Sequence, residues 1–231
     1  MASCCVVDAR NSRYLPKKLA LLKEFYQTEH FSYNPETNLL DCKLLTKNIY
    51  SLFFHQIYPD EINENHLTDD MLDVIKSYTD SQLNECYRKT NLSLLSANFE
   101  EIDWEYVNKL RSLIRSLKQN NIKYIYYRGL QLSDTEIQYY LDKQNECYYT
   151  NSFSSFTIDR LLIYPGNAIL ILKVEDSSEK ARKNLANIWK WSTFSEEKEA
   201  LLAVGTKLKI LTVHFYGGKW EIEVELMEDD P

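Results

Sequence analysis

Three short stretches of this 231-residue chain bring together residue types that can act on one another. The first is Tyr127-Arg128-Gly129. An arginine ending a strand presents a fixed fork of N–H donors that suits a phosphate or a carboxylate. A glycine beside it lets a ligand come close to the backbone. The second is Asn151-Ser152-Phe153-Ser154-Ser155-Phe156-Thr157, in which hydroxyls alternate with aromatics. Alternation along a strand puts Phe153, Ser155 and Thr157 on one face, where hydroxyls can orient a neighbouring side chain or a sugar. The third runs from Phe194 to Leu202 and holds Glu197 and Glu199 two positions apart. If Glu199 opens a strand, both carboxylates project to the same side beside a loop. Such a pair can divide acid–base and electrostatic work, and its mutual repulsion raises at least one pKa. Taken singly, the three stretches also fit a salt-bridged strand end, a polar-faced strand and a solvated acidic turn.

The elements that position them change character along the chain. Helical spacing appears at Leu15, Leu19, Leu22 and Phe25, and again at Leu44, Ile49, Leu52 and Phe53. A third helical stretch spans about Thr68 to Lys89, with Met71, Val74, Ile75 and Tyr78 on one face. A fourth follows the N-cap candidate Asp103, carries Val107, Leu110, Leu113, Ile114 and Leu117, and should stop near Asn120-Asn121. Ile122–Tyr127 is β-branched and aromatic and reads as a strand. Ser133 and Glu136 form a capping box for a short helix. Strand-like runs follow at Tyr148–Ser155, Ala168–Val174, Lys207–Phe215 and Trp220–Leu226, interrupted by a helix-like stretch from about Ser177 to Lys190. Gly217-Gly218 marks a hairpin between the last two. Helices first and mostly strands afterwards argue an α+β fold with an antiparallel or mixed sheet. Regular βαβ alternation and a GxGxxG loop are both missing, which argues against a doubly wound nucleotide-binding fold.

Composition narrows the function further. Net charge is −7 and Lys and Arg form no cluster, so a nucleic-acid partner is not expected. The five cysteines, Cys4, Cys5, Cys42, Cys86 and Cys147, contain no CxxC pair, so no metal site is expected. Their odd number and wide scatter fit free thiols in a reducing compartment. The N-terminus lacks the pattern of a signal peptide, and no apolar run nears the ~20 residues of a membrane span. These features read as a cytoplasmic protein without a membrane partner, and, lacking a coiled-coil repeat, as a monomer.

In order and company the three stretches resemble the R-S-E class of ADP-ribosyltransferases, which includes bacterial toxins and animal ectoenzymes. Tyr127-Arg128-Gly129 is similar to the family's aromatic-Arg-Gly motif. Asn151 to Thr157, followed by Asp159-Arg160, is similar to its Asn-x-Phe-x-Ser-Thr-Ser motif. Phe194 to Leu201, followed by Val204-Gly205-Thr206, is similar to its Phe-Pro-x-Glu-x-Glu-Val-Leu and Pro-Gly-Thr motifs. Upstream, Ile75-Lys76-Ser77-Tyr78-Thr79 resembles an Ile-x-x-Tyr-Thr helix, and Asn84 and Arg88 resemble, at looser spacing, its Ile-Asn-x-x-Leu-Arg segment. The match covers roughly residues 65 to 227. Phe156 and Thr157 stand where the family has Thr and the second Ser, and Ser195 stands where it has Pro, which loosens the loop presenting Glu197.

The resemblance implies N-terminal helices packed on a two-sheet mixed β-sandwich. It divides the chain into a helical extension or cap, 1–60, and a catalytic domain, 61–231, helical to about 120 and β-rich over 121–227. It implies NAD as substrate, no metal, and transfer of ADP-ribose to a protein arginine. Arg128 is then expected to hold the phosphates or the adjoining ribose, and the Gly129 backbone to meet the nicotinamide amide. Ser155 orients Glu199, which grips the nicotinamide ribose, and Glu197 faces the acceptor. Thr157, Asn84 and Arg88 join the binding set, and Phe153, Phe156 and Tyr164 are candidates to stack on nicotinamide. An NAD glycohydrolase and a non-catalytic NAD-binding module of the same fold are the alternatives.

Overall fold

The computed structural model describes residues 33–34, 39–40, 48, 50–80, 85–95, 100–118 and 123–229. The helical spacings expected over Leu15–Phe25 and at Leu44 and Ile49 lie outside these residues, as does Asn84. Two short antiparallel strands, β1 (Tyr33–Asn34) and β2 (Leu39–Leu40), open the described chain. Leu52 and Phe53 belong to a short 3-10 helix, Ser51–Phe53, and not to an α-helix.

Three helices follow a short strand, β3 (Ile62–Asn63). Helix α1 (Asp69–Thr79) is capped by the Thr68 hydroxyl, which accepts from Met71 N–H, and buries Met71, Val74, Ile75 and Tyr78. It ends at Asp80 in extended backbone, and helix α2 (Glu85–Leu95) begins anew. The single helix expected over 68–89 is therefore two. Ser77, Thr79 and Asp80 compete for backbone hydrogen bonds and weaken helix propagation at the break. Helix α3 (Trp104–Ser116) starts at Asp103, whose carboxylate accepts from Tyr106 N–H at 3.0 Å. Val107, Leu110, Leu113 and Ile114 are at most 1% exposed. It stops short of Asn120 because Leu117–Lys118 (β4) pairs in parallel with β3.

The rest of the chain builds one eight-stranded mixed sheet. Its strands are β5 (Ile125–Leu130), β6 (Cys147–Tyr149), β7 (Ser154–Thr157), β8 (Ala168–Lys173), β9 (Leu185–Asn187), β10 (Glu199–Leu202), β11 (Lys207–Tyr216) and β12 (Lys219–Leu226), ordered β6-β11-β12-β8-β5-β7-β10-β9. Only β12 and β8 run parallel. Helix α4 (Asp134–Asp142) follows β5 with the Ser133/Glu136 capping box closed from both sides. At the β11–β12 hairpin Gly217 and Gly218 both have positive φ, as a tight two-residue turn of this hand requires. Two expectations are corrected. The run Tyr148–Ser155 is split into β6 and β7, because Thr150 is held by Gly205 N–H and by the Ala203 carbonyl and turns the chain between sheet positions. The helix expected from Ser177 to Lys190 is a single turn, α5 (Glu179–Arg182), after which β9 joins the sheet edge beside β10.

Strand β5 meets β7 at one register pair, Tyr127 with Thr157, whereas it meets β8 at six. The sheet therefore parts there into a larger half ending at β5 and a smaller half of β7, β10 and β9. Their inner faces share one apolar cluster, with Tyr126, Leu170, Leu172, Ile222 and Val224 from the first and Phe156, Ala200, Leu202 and Leu185 from the second. This is a two-layer sandwich closed along a single edge. The other face of the smaller half, through Ala186 and Leu201 with the flanking Phe153 and Ile188, packs under the helices with Tyr78, Val107 and Leu110. Tyr50, Phe53 and Tyr58 enter the same helical core, and Asn48 donates to the Gly205 carbonyl. Residues on both sides of position 60 thus share one core.

Among the described residues no helix is long and apolar enough to cross a membrane, and no group of three or more His, Cys, Asp or Glu could hold a metal ion. Cys86 and Cys147 are free thiols.

Candidate active site

The parting of β5 from β7 leaves a cleft of about 370 Å³. All three stretches singled out by their chemistry contribute to its walls: Tyr127, Arg128 and Gly129; Ser155, Phe156 and Thr157; Glu197 and Glu199.

Glu199 opens β10, where it pairs with Thr157, and Leu201 pairs with Ser155. Ser155 is thereby the diagonal neighbour of Glu199 across the two strands, within reach of a long side chain. Its hydroxyl donates to Glu199 Oε1 at 2.6 Å, which fixes the carboxyl rotamer. Glu199 is only 7% exposed. Burial pushes its pKa up to about 7; the Ser155 hydrogen bond opposes the rise, the nearby Glu197 charge adds to it, and Arg128 opposes it again.

Glu197 reaches the cleft by a different route from the one its spacing implied. It ends a 3-10 turn, Ser195–Glu197, and Lys198 then adopts a left-handed conformation, φ 50°, that redirects the chain into β10. The turn, not strand alternation, puts both carboxylates on one cleft, with Glu197 exposed and Glu199 buried. Thr157 anchors this turn. Its hydroxyl donates to the Glu197 carbonyl at 2.9 Å and accepts from Asp159 N–H at 3.1 Å. Lys198 Nζ pairs with Asp159 Oδ2 at 2.9 Å, so the two walls are tied together at their rim.

Arg128 lies inside β5, two residues before its end, and donates from Nη1 to the Ser155 carbonyl at 2.8 Å. Among the described residues no carboxylate forms an ion pair with it, so guanidinium donors remain for an anionic ligand. Arg128 and Phe156 also border a second hollow of about 190 Å³, walled in part by Leu95, Tyr140 and Asn151. An arginine bordering two hollows suits a ligand with two lobes and negative charge between them.

Gly129 serves the fold in a way its sequence context did not reveal. An added Cβ would lie 1.9 Å from the Tyr164 carbonyl oxygen, so the close approach is made by the protein's own loop. Gly166 is in the same position against the Leu130 carbonyl, at 2.0 Å. The segment 160–166 therefore lies close against β5 at Tyr164 and Gly166, and it supplies Leu162, Ile163 and Tyr164 to the cleft wall. Gly129→Ala is expected to lift this segment. It should lower stability by about 1–3 kcal/mol, the usual cost of overpacking, and impair the cleft, which thermal denaturation and a ligand titration on the same sample would reveal.

The remaining sequence candidates are distributed unevenly. Phe153 is 1% exposed and packs edge-to-face on Tyr78 in the helical core, away from the cleft. It shares strand parity with Ser155 but precedes β7, where the chain has already turned inward. Phe156 borders the cleft while belonging mainly to the sandwich core, at 2% exposure. Tyr164, at 70% exposure, is the aromatic of the three that lines the cleft without being buried in the core. Arg88 is exposed on α2 and is not among the cleft residues. Leu162 and Ile163 were missed, since an apolar run between Arg160 and Pro165 carries no mark of a cleft wall. Arg160 forms an ion pair with the buried Glu221 of β12, a second hold on the same segment.

No protein-family model matches the sequence, and no curated protein does. Solved structures do. An ADP-ribosyltransferase from Clostridium botulinum is similar over 70% of this chain and 88% of its own, at 16% identity and a TM-score of 0.56. The ADP-ribosyltransferase HopU1 of Pseudomonas syringae matches over 70% and 78%, at 16% identity and a TM-score of 0.52. A protein from S. aureus, solved with NAD, matches over 71% and 89%, at 17% identity and a TM-score of 0.51. The α+β fold of this chain, helices packed against a parted eight-stranded sheet, is thus similar to that of the toxin-type ADP-ribosyltransferases.

Proposed function

We propose that the chain is an NAD-dependent mono-ADP-ribosyltransferase that releases nicotinamide and transfers ADP-ribose to a protein arginine. The observation that carries this reading is the buried Glu199 carboxyl, fixed by Ser155 at 2.6 Å and facing the same cleft as Arg128 and Glu197. Its context is the fold shared with the Clostridium botulinum transferase and HopU1.

In this reading NAD is the substrate, and the site residues suit it. Arg128, without an ion-pair partner among the described residues, holds the phosphates or the adjoining ribose. The nicotinamide half lies over Gly129 and the 162–164 wall, with Tyr164 as the stacking aromatic. Glu199, ionised, binds the ribose and stabilises the positive charge that develops as the N-glycosidic bond breaks and nicotinamide leaves as a neutral amide. A fixed charge already in place lowers that barrier without reorganisation. Glu197, exposed at the mouth, hydrogen-bonds the acceptor guanidinium. As a guanidinium nitrogen forms its bond to the anomeric carbon, the proton it loses passes to the Glu197 carboxylate. Ser155 and Thr157 act through Glu199 and through the turn bearing Glu197, and are positioning residues.

The test is nicotinamide release from NAD, with and without agmatine as an arginine mimic, in the unmodified chain and in Glu199→Ala. Release that depends on Glu199 and rises with agmatine is the expected result. Release indifferent to agmatine would replace transfer to arginine by hydrolysis or another acceptor. NAD binding without release would leave a binding module.

A further inference from the structure

Large apolar side chains normally avoid solvent, and a contiguous exposed group of them marks an interaction site. The segment following Arg160 holds three such side chains within four residues: Leu161 at 91% exposure, Leu162 at 44% and Tyr164 at 70%. This segment is held at several points. The Asp159 carboxylate accepts from Leu161 N–H at 3.1 Å and also pairs with Lys198. Arg160 is tied to the buried Glu221, and the backbone at Tyr164 and Gly166 lies on β5 with no room for a side chain between. The apolar side chains are therefore displayed from a held backbone, and Leu161, unlike Leu162 and Tyr164, is not among the residues lining the cleft.

Across the mouth stands the turn with exposed Glu196 and Glu197. The Lys198–Asp159 ion pair links that turn to the stretch leading into the apolar segment, and the Thr157 hydroxyl holds the turn to β7. One rim is apolar and the other acidic, and they flank the point where, on the transfer reading, the new bond is made. An anionic membrane surface would be repelled by the acidic rim. A protein segment carrying a basic residue beside an apolar one matches both.

We infer that the Leu161 end of this apolar ridge docks the protein acceptor and selects a target arginine that has an apolar side chain within a few residues. The arginine goes to Glu197, and its apolar neighbour packs on Leu161. This rests on the transfer reading above. Leu161 takes no part in NAD binding or in the chemical step.

The experiment uses nonapeptides with one central arginine in a serine background, with leucine placed in turn at each of the three positions on either side. ADP-ribosyl transfer is followed for the unmodified chain and for Leu161→Ser, with agmatine as the acceptor that has no flank. With the unmodified chain, leucine at one or more positions is expected to raise kcat/KM about 10-fold over the all-serine peptide, the scale of one apolar contact. With Leu161→Ser that advantage should fall to near unity while agmatine turnover is unchanged. An advantage that survives Leu161→Ser, or no advantage at any position alongside normal agmatine turnover, would overturn the proposal and leave the transfer reading intact. No nicotinamide release from the unmodified chain would overturn both. A dimer of the unmodified chain that dissociates on Leu161→Ser would assign the ridge to a second copy instead.

Discussion

Glu199→Gln is expected to lower nicotinamide release by about 10²–10³-fold, the typical cost of removing one preorganised group that stabilises charge in the transition state. The substitution keeps the size of the side chain and an oxygen that can accept from Ser155, so the cleft should retain its shape. NAD affinity, measured by calorimetry, should therefore change little. A variant that released nicotinamide at the unmodified rate would remove Glu199 from the chemical step and with it the site as a whole.

The same residue gives a stability signature of opposite sign. Its pKa in the folded chain, about 7, lies above the 4.5 of an ordinary glutamate because burial penalises the charged form. A carboxyl shifted upward holds its proton in the folded state where the unfolded chain has already released it. Its contribution is then fully present below about 4.5 and lost as pH rises through about 7. At pH 8 the ionised Glu199 should cost the fold up to about 3 kcal/mol. Glu199→Gln removes that cost, so its Tm should exceed that of the unmodified chain by about 5 °C or more at pH 8 and match it near pH 4. Turnover runs the other way, since only the carboxylate can stabilise a developing cation. The kcat/KM for NAD should rise with pH and level off above about 7. A flat profile from pH 5 to 9, with equal Tm values at pH 8, would show that Glu199 is an ordinary carboxylate.

Residues whose placement depends on local chemistry could be read from the sequence, and those placed by distant contacts could not. The Asp103 cap, the Ser133/Glu136 box and the Gly217-Gly218 turn each act within a few positions, and each appears in the fold as its spacing indicates. Arg128, Ser155 and Glu199 were legible because β5, β7 and β10 follow the sequence pattern closely enough to bring them to one cleft. The division of Tyr148–Ser155 into two strands was not, because it depends on Thr150 meeting Ala203 and Gly205, more than fifty positions away. Strand β9 is three residues long, too short for alternation to oppose the helical spacing that precedes it. Phe153 shows the limit of parity, which gives the face of a strand but not where the strand starts. Gly129 shows the limit of a motif, since its close neighbour is Tyr164, thirty-five positions on and unmarked by any local pattern.

Glu197→Gln should separate the two halves of the reaction. Glu197 is exposed at the mouth and has no hydrogen bond to Ser155, so cleavage of NAD does not depend on its charge in the way it depends on Glu199. Glutamine can still hydrogen-bond a guanidinium but cannot take the proton released as nitrogen attacks, and loss of a general base typically costs about 10²–10⁴-fold. Transfer to agmatine is therefore expected to fall by about 10²-fold or more, while hydrolysis of NAD by water stays within a few-fold of the unmodified rate. The charge change also removes a like-charge neighbour of Glu199, which lowers the Glu199 pKa and moves the rise of the hydrolysis pH profile to lower pH. That displacement separates an electrostatic role from loss of shape, because a collapsed turn would lower both activities without moving the profile. Equal loss of transfer and hydrolysis would take Glu197 out of the acceptor role. Lys198, left-handed between the two carboxylates and tied to Asp159, would then be the residue that governs the turn as a structural unit.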